Sequence, residues 1–171
     1  MEKVESRFVS FPKSLITQAL ILDETFECLV EIGYRSTTMS EVCRRAGISR
    51  GTVLYHYPST DDLVIAALEH ALADELRLFQ CRIQVSGGAI DGQPTIDALW
   101  ASFSGPAFHV WLEVWVASRT QPVLNRRAMA VGRRFSEAVR ALHGAREGAD
   151  TVRQMRTLAM VKTIFALLTG M

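Results

Sequence analysis

The stretch TMSEVCRRAGISRGTVLYHYPSTDDL, residues 38–63, constrains the fold more tightly than any other part of the chain. Thr38 followed three residues later by Glu41 reads as a capping box, in which each side chain can satisfy a backbone N–H that a helix start leaves free. Ser49 is a second N-cap, and between the two lies Gly47, which lets the chain turn without a Cβ penalty. The pattern predicts a helix over 39–46, a tight turn at Gly47 and another short helix from Ser49. Pro58 with Ser59 then punctuates before a further helix, where Ser59 is the N-cap and Asp61 and Asp62 suit the positive end of the helix dipole. Two short helices joined so closely cross steeply, which calls for a small side chain at the crossing and an apolar floor beneath. Cys43 supplies the first, and Ile48 with Val53 the second. This layout is a helix-turn-helix.

The rest of the chain is organised by helical periodicity. Leu15, Ala19, Leu22, Phe26 and Leu29 recur at alternating four- and three-residue steps, predicting one buried stripe on a helix over 13–32 that stops at Gly33. A helix from Ser59 runs to about Ile83, and QVSGGAIDGQP, residues 84–94, reads as a loop. Helices over about 95–103, 106–119, 122–143 and 149–169 follow, separated by Gly105-Pro106, Gln121-Pro122 and HGAREGAD. No alternating strand pattern appears, so the expected fold is all-α. It divides into a three-helix helix-turn-helix domain over 1–58 and a helical domain over 59–171.

Composition limits what such a chain can bind. With 49% hydrophobic and 22% charged residues it can bury a substantial core. A formal net charge of +1 excludes a wholesale polycation, so affinity for nucleic acid has to come from a local patch. One exists: between residues 35 and 50, Arg35, Arg44, Arg45 and Arg50 face only Glu41. The three cysteines, Cys28, Cys43 and Cys81, are widely spaced and form no CxxC, so neither a disulfide framework nor a zinc site is expected, and no metal or cofactor is assigned. The N-terminal residues lack an apolar signal core, and no segment offers the uncharged run of a membrane span. A cytoplasmic protein without membrane contact is the expectation. His56 lies between Tyr55 and Tyr57 without a plausible triad partner, and Cys43 reads as a core residue, so no enzyme is expected.

Gly33-Tyr34, Thr37-Thr38, AGIS at 46–49, Gly51-Thr52 and the aromatic-His-aromatic run Tyr55-His56-Tyr57 before Pro58-Ser59 together carry a resemblance. Residues 15–63 resemble the DNA-binding domain of the TetR family of transcriptional regulators. The resemblance implies a ligand-responsive regulator, a repressor above all, that binds a near-palindromic double-stranded DNA operator as a homodimer and answers to a small-molecule effector. Arg44 and Arg45 become candidates for phosphate, Arg50 and Thr52 for base edges at the start of the recognition helix, and Tyr55 for phosphate through its hydroxyl. Thr38, Ser49, Gly51 and His56 complete the candidate DNA surface, His56 as a packing or capping group at the helix end. Two positions depart from the family pattern: Leu54 stands where an aromatic is usual, and Thr60 where a lysine is usual. These departures make a second reading conceivable, a helical small-molecule-binding or interaction protein of the same fold with weakened or lost DNA binding.

The second half is rich in aromatics. Helical bundles build pockets from facing aromatics and a few polar groups, and the resemblance implies an inducer cavity here. Trp100, Phe103, Phe108, His109, Trp111 and Trp115 are its candidate lining, with Trp111 and Trp115 four apart on one helix face. Leu158, Val161, Phe165 and Leu168 form an apolar stripe on the final helix, the candidate dimer seam. After HGAREGAD there is room for one long helix where family members generally use two, so a shortened dimerisation region is expected.

Overall fold

The computed structural model describes residues 13–85 and 92–144, together with Ala159 and Thr163. Among these the chain forms α1 (Lys13–Ser36), α2 (Met39–Ala46), α3 (Arg50–His56), α4 (Thr60–Val85), α5 (Gly92–Phe103), α6 (Pro106–Ala117) and α7 (Pro122–Gly144), with a 3-10 turn at Ser118–Thr120 and no strand. The all-α expectation holds. α4 continues to Val85 and α5 begins at Gly92, so helix occupies part of the predicted loop at both ends. α6 gives way to the 3-10 turn slightly earlier than the predicted end at 119. The expected final helix and its apolar stripe lie outside the described residues, save that Ala159 and Thr163 are helical and exposed.

The helix starts behave as their caps dictate. Thr38 Oγ1 accepts the Glu41 N–H at 3.2 Å, Ser49 Oγ accepts the Thr52 N–H at 3.2 Å, and Ser59 Oγ accepts the Asp62 N–H at 3.1 Å. Gly47 closes α2 in the left-handed conformation at φ 66°, its N–H bonded to the Cys43 carbonyl. Gly33 does more than stop a helix: at φ 76° and ψ 169° it breaks α1, and one further turn runs on to Ser36.

α1 buries two faces, where the periodicity predicted one stripe. Leu22, Phe26 and Leu29 pack on the main core, whose other members include Val64, Leu68, Phe108, Trp111 and Leu124. Ile21 and Cys28, between those positions on the helix, enter a second core with Met39, Val42, Val53 and Leu63, against which Cys43, Ile48 and Tyr57 also pack. The predicted floor of the helix-turn-helix is therefore the observed one. Leu15, predicted to belong to the buried stripe, is 51% exposed, because it precedes the part of α1 that these cores cover. α4 is likewise shared, giving Leu63 to the second core, Val64 to Leu72 to the first, and Phe79 and Ile83 to a third cluster with Ala98, Leu99 and Val139.

The main core is organised around Trp111. Its indole N–H donates to the Ala128 carbonyl at 2.8 Å, and the ring lies flat against Gly132 of α7. A Cβ at Gly132 would come within 2.6 Å of Trp111 Cζ2, closer than real side chains approach. In an open helix, replacing glycine by alanine stabilises by about 0.5–1 kcal/mol, but overpacking a filled core costs about 1–3 kcal/mol. Gly132→Ala should therefore destabilise the fold by about 1–2 kcal/mol in urea denaturation. A variant as stable as the parent would show that the indole can move aside.

Candidate nucleic-acid interface and its link to the helical domain

α3 is anchored on one side and open on the other. Val53 is fully buried, and His56 Nδ1 accepts from Gln18 Nε2 at 3.0 Å, tying the end of α3 to α1. His56 is thereby packed against α1. Arg50, Gly51, Leu54 and Tyr55 are exposed, Tyr55 at 84%. The ring of Tyr55 meets His56 edge-on at 5.0 Å. Ser49 Oγ and Thr52 Oγ1 lie 2.9 Å apart within the cap, so two of the candidate hydroxyls are engaged in starting α3. Arg50 Nη1 donates to Ser40 Oγ at 3.2 Å, spanning from the recognition helix to the first turn of α2.

The arginines of α2 are held by carboxylates. Arg44 makes a two-pronged contact with Glu41, Nε to Oε2 at 2.9 Å and Nη2 to Oε1 at 2.7 Å. Arg45 is gripped from two sides, donating to Glu41 at 2.8 Å and to Glu31 of α1 at 2.5 Å. Glu31 was not counted in the local charge balance read from residues 35–50, because it sits a helix away in sequence. Its presence lowers the surplus of positive charge and makes the two arginines unlike: the Arg44 side chain is 69% exposed and that of Arg45 only 19%. The Glu41 carboxylate, read above as the second half of a capping box, is engaged by these guanidinium groups. Their hydrogen bonds, Arg44 first and Arg45 next, lower its pKa to about 2.

A second set of polar contacts joins this region to the helices that follow. The break at Gly33 leaves the Tyr34 N–H pointing out of α1, and Glu113 Oε1 of α6 accepts it at 2.8 Å. The same oxygen lies 2.8 Å from where a Cβ at Gly33 would stand, so a side chain there would push the carboxylate aside, and the φ of 76° itself favours glycine. The Tyr34 hydroxyl donates to Asp61 Oδ1 at 3.3 Å, and burial together with that carboxylate raises the phenol pKa. Asp62, next along α4, accepts from the Ser59 hydroxyl at 2.6 Å and pairs with Arg127 of α7 at 2.8 Å. The Ser59 hydroxyl foremost, with Arg127, holds its carboxyl below the ordinary value. Glu113 is legible in the sequence only as a polar residue among the aromatics of the second half, and neither Glu31 nor Arg127 stands out, since no local pattern marks a side chain whose partner lies on another helix.

The six aromatic-rich candidates of the helical domain separate. Phe103, Phe108, Trp111 and Trp115 form a ladder of ring contacts, edge-on at 4.9 Å, tilted at 5.5 Å and stacked nearly parallel at 6.1 Å. Trp100, 73% exposed, and His109 lie on the surface. Two cavities of about 250 and 270 Å³ lie between α4 and α7, and none of the six lines either of them. No helix of the described residues is long and apolar enough to cross a membrane.

An outward-facing short helix, set behind a capped partner on a shared apolar floor, defines a helix-turn-helix regulator. The family model "Bacterial regulatory proteins, tetR family" matches residues 21–67, covering most of α1 and all of α2 and α3. The chain is 28% identical over 163 residues to the HTH-type transcriptional regulator BetI of Burkholderia mallei (strain NCTC 10229), covering 91% of this chain and 80% of that one. It is 26% identical to BetI of Serratia proteamaculans (strain 568), where the match covers 70% of this chain and 63% of the relative. Among solved structures, the multidrug binding protein EbrR complexed with imidazole aligns at a TM-score of 0.64 with 20% identity, over 94% of this chain and 88% of that one. The TetR transcription regulatory protein from Mycobacterium vanbaalenii aligns at 0.52 with 20% identity, over 92% and 96%. Residues 21–67, from within α1 to the first turns of α4, thus carry the similarity to the tetR family of bacterial regulatory proteins.

The Glu41 contacts set a pH dependence. An unfolded glutamate titrates near 4.3, and this one at about 2 in the fold. A depressed carboxylate pKa contributes stability that is present above the unfolded value and is lost as pH falls through the folded one. The contribution should therefore decline between about pH 4.3 and 2 and be absent in Glu41→Gln. A carboxyl NMR titration placing Glu41 near 4 would show that the guanidinium contacts do not persist in solution.

Proposed function

We propose that this protein is a ligand-responsive transcriptional regulator, a repressor that binds a near-palindromic operator as a homodimer through α3. The observation that carries the reading is the division of α3: Val53 and the His56 anchor on one side, and Arg50, Gly51 and Tyr55 exposed on the other. Residues near the N-terminus of a recognition helix enter the major groove, so Arg50 and Thr52 read base edges and Tyr55 meets phosphate. Arg44 is exposed enough to exchange Glu41 for a phosphate. Arg45, gripped by Glu31 and Glu41, positions α2 against α1. In the second domain a bound effector biases the two halves of the dimer away from the spacing of successive major grooves, about 34 Å.

The link at Gly33 supports a route for that coupling. Glu113 of α6 holds the Tyr34 N–H where α1 breaks, so a shift of α6 is felt by the helix on which the DNA-binding domain is built. Removing the carboxylate in Glu113→Ala should speed hydrogen exchange at the Tyr34 amide by about tenfold. If the exchange rate is unchanged, the contact does not hold this end of α1.

Selection of bound fragments from a genomic library, followed by footprinting, tests the function directly. A protected, near-palindromic site is the expected result, and failure to retain any fragment would favour the reading of a helical binding protein with lost DNA affinity, to which the exposed Leu54 lends itself. On the selected site, Arg44→Ala should make the slope of log K against log salt shallower by about one unit, and Arg45→Ala should leave that slope in place. Arg50→Ala should cost about 1–3 kcal/mol on the preferred site with much less effect on random DNA. Equal losses on both would reassign Arg50 to the backbone.

A further inference from the structure

We infer that Leu54 reads sequence: its side chain seats the C5-methyl group of a thymine in each operator half-site, about one to two base pairs from the base edge that Arg50 meets. The inference deepens the regulator reading above and rests on it. Leu54 is 38% exposed on α3, whereas its neighbour Val53 is fully buried in the floor shared with Ile21, Val42 and Leu63. Leu54 belongs to none of the apolar clusters of the described residues. The position departs from the aromatic usual in the family pattern, so the readout is this chain's own.

At about 100° per residue, Arg50 and Leu54 lie one turn apart on the same flank of α3. Gly51 follows Arg50 with no side chain, and a Cβ there would meet nothing nearer than Ser49 Oγ, at 3.9 Å. A base edge can therefore approach the backbone of α3 beside Leu54. Four residues of helix advance about 6 Å and stacked base pairs about 3.4 Å each, which sets the spacing of the two contacts. Arg50, held by Ser40 Oγ at 3.2 Å, keeps its guanidinium toward α2 and leaves the next turn of this flank to Leu54. A leucine has no donor with which to hold a phosphate, and an apolar group laid against one strips water from the charge without return. In the major groove the thymine methyl is the apolar group on offer, and it distinguishes one base pair from the others. Seating it on Leu54 removes two apolar surfaces from water at once.

Quantitative binding of the full chain to its selected operator, with each thymine of a half-site replaced in turn by uracil, tests the contact, because uracil lacks only the C5-methyl group. One such replacement, within about two base pairs of a guanine, should weaken binding about fourfold, the effect of leaving one methyl-sized apolar contact unmade. Leu54→Ala, a change at an exposed position that suits a helix, should melt with the parent and lose the preference for that thymine over uracil. Leu54→Met, which keeps an apolar reach, should retain it. Equal binding of the parent protein to every uracil-substituted operator, or a methyl preference that persists in Leu54→Ala, would overturn the inference. So would a selected half-site with no thymine at that spacing, or equal losses by Leu54→Ala on operator and random DNA. Operator binding by the parent protein is scored first: firm binding without a methyl preference sinks only the role of Leu54, and retention of no fragment at all sinks the regulator reading itself.

Discussion

Burial of α1 on two faces is the constraint on which the rest of the structure depends. Ile21 and Cys28 close the floor under α2 and α3, while Phe26 and Leu29, a few residues along the same helix, lie in the core with Leu68 and Trp111. A single rigid helix thus carries both domains, and neither floor can shift without disturbing packing in the other. Close-packed interiors transmit such shifts, because their side chains have little free volume in which to absorb them. The fold therefore couples DNA-binding and helical domains through shared apolar contacts.

Polar contacts tie the helices together at the two places where this shared scaffold is interrupted. At the break of α1, the left-handed Gly33 releases the Tyr34 N–H and Glu113 of α6 captures it. At the start of α4, Ser59 caps the helix through Asp62, and Arg127 of α7 reaches the same carboxylate. Both sites satisfy backbone or charged groups that the helix ends leave open, and in both the partner comes from the helical domain.

The arginines of α2 illustrate how charge read from sequence differs from charge presented by a surface. Four arginines against one acid implied a strongly basic patch over residues 35–50. In the fold, Glu41 holds Arg44 and shares Arg45 with Glu31, so one guanidinium faces solvent and the other is embedded in a brace between α1 and α2. An exposed ion pair is weakly held against competing phosphates, whereas a two-carboxylate grip with little exposure is harder to replace. The two neighbours, equivalent in sequence, have different parts to play.

What the sequence by itself determined is everything decided within one or two helical turns. Thr38, Ser49 and Ser59 start helices because their hydroxyls reach backbone N–H groups three residues on, Gly47 ends α2 because it adopts positive φ, and Gly33 breaks α1 for the same reason. The helix-turn-helix, Cys43 at its crossing, its floor of Ile48 and Val53, and the resemblance to the tetR family were legible on that basis. The second buried face of α1 was not, since a stripe through Leu22, Phe26 and Leu29 was already sufficient for one partner and nothing local announces two. Only the tertiary structure set Glu113 against Tyr34, 79 residues away, Gln18 against His56, 38 away, and Arg127 against Asp62. Such pairings depend on how whole helices pack, which is settled by the apolar faces they share and leaves no periodic trace at the charged residues themselves.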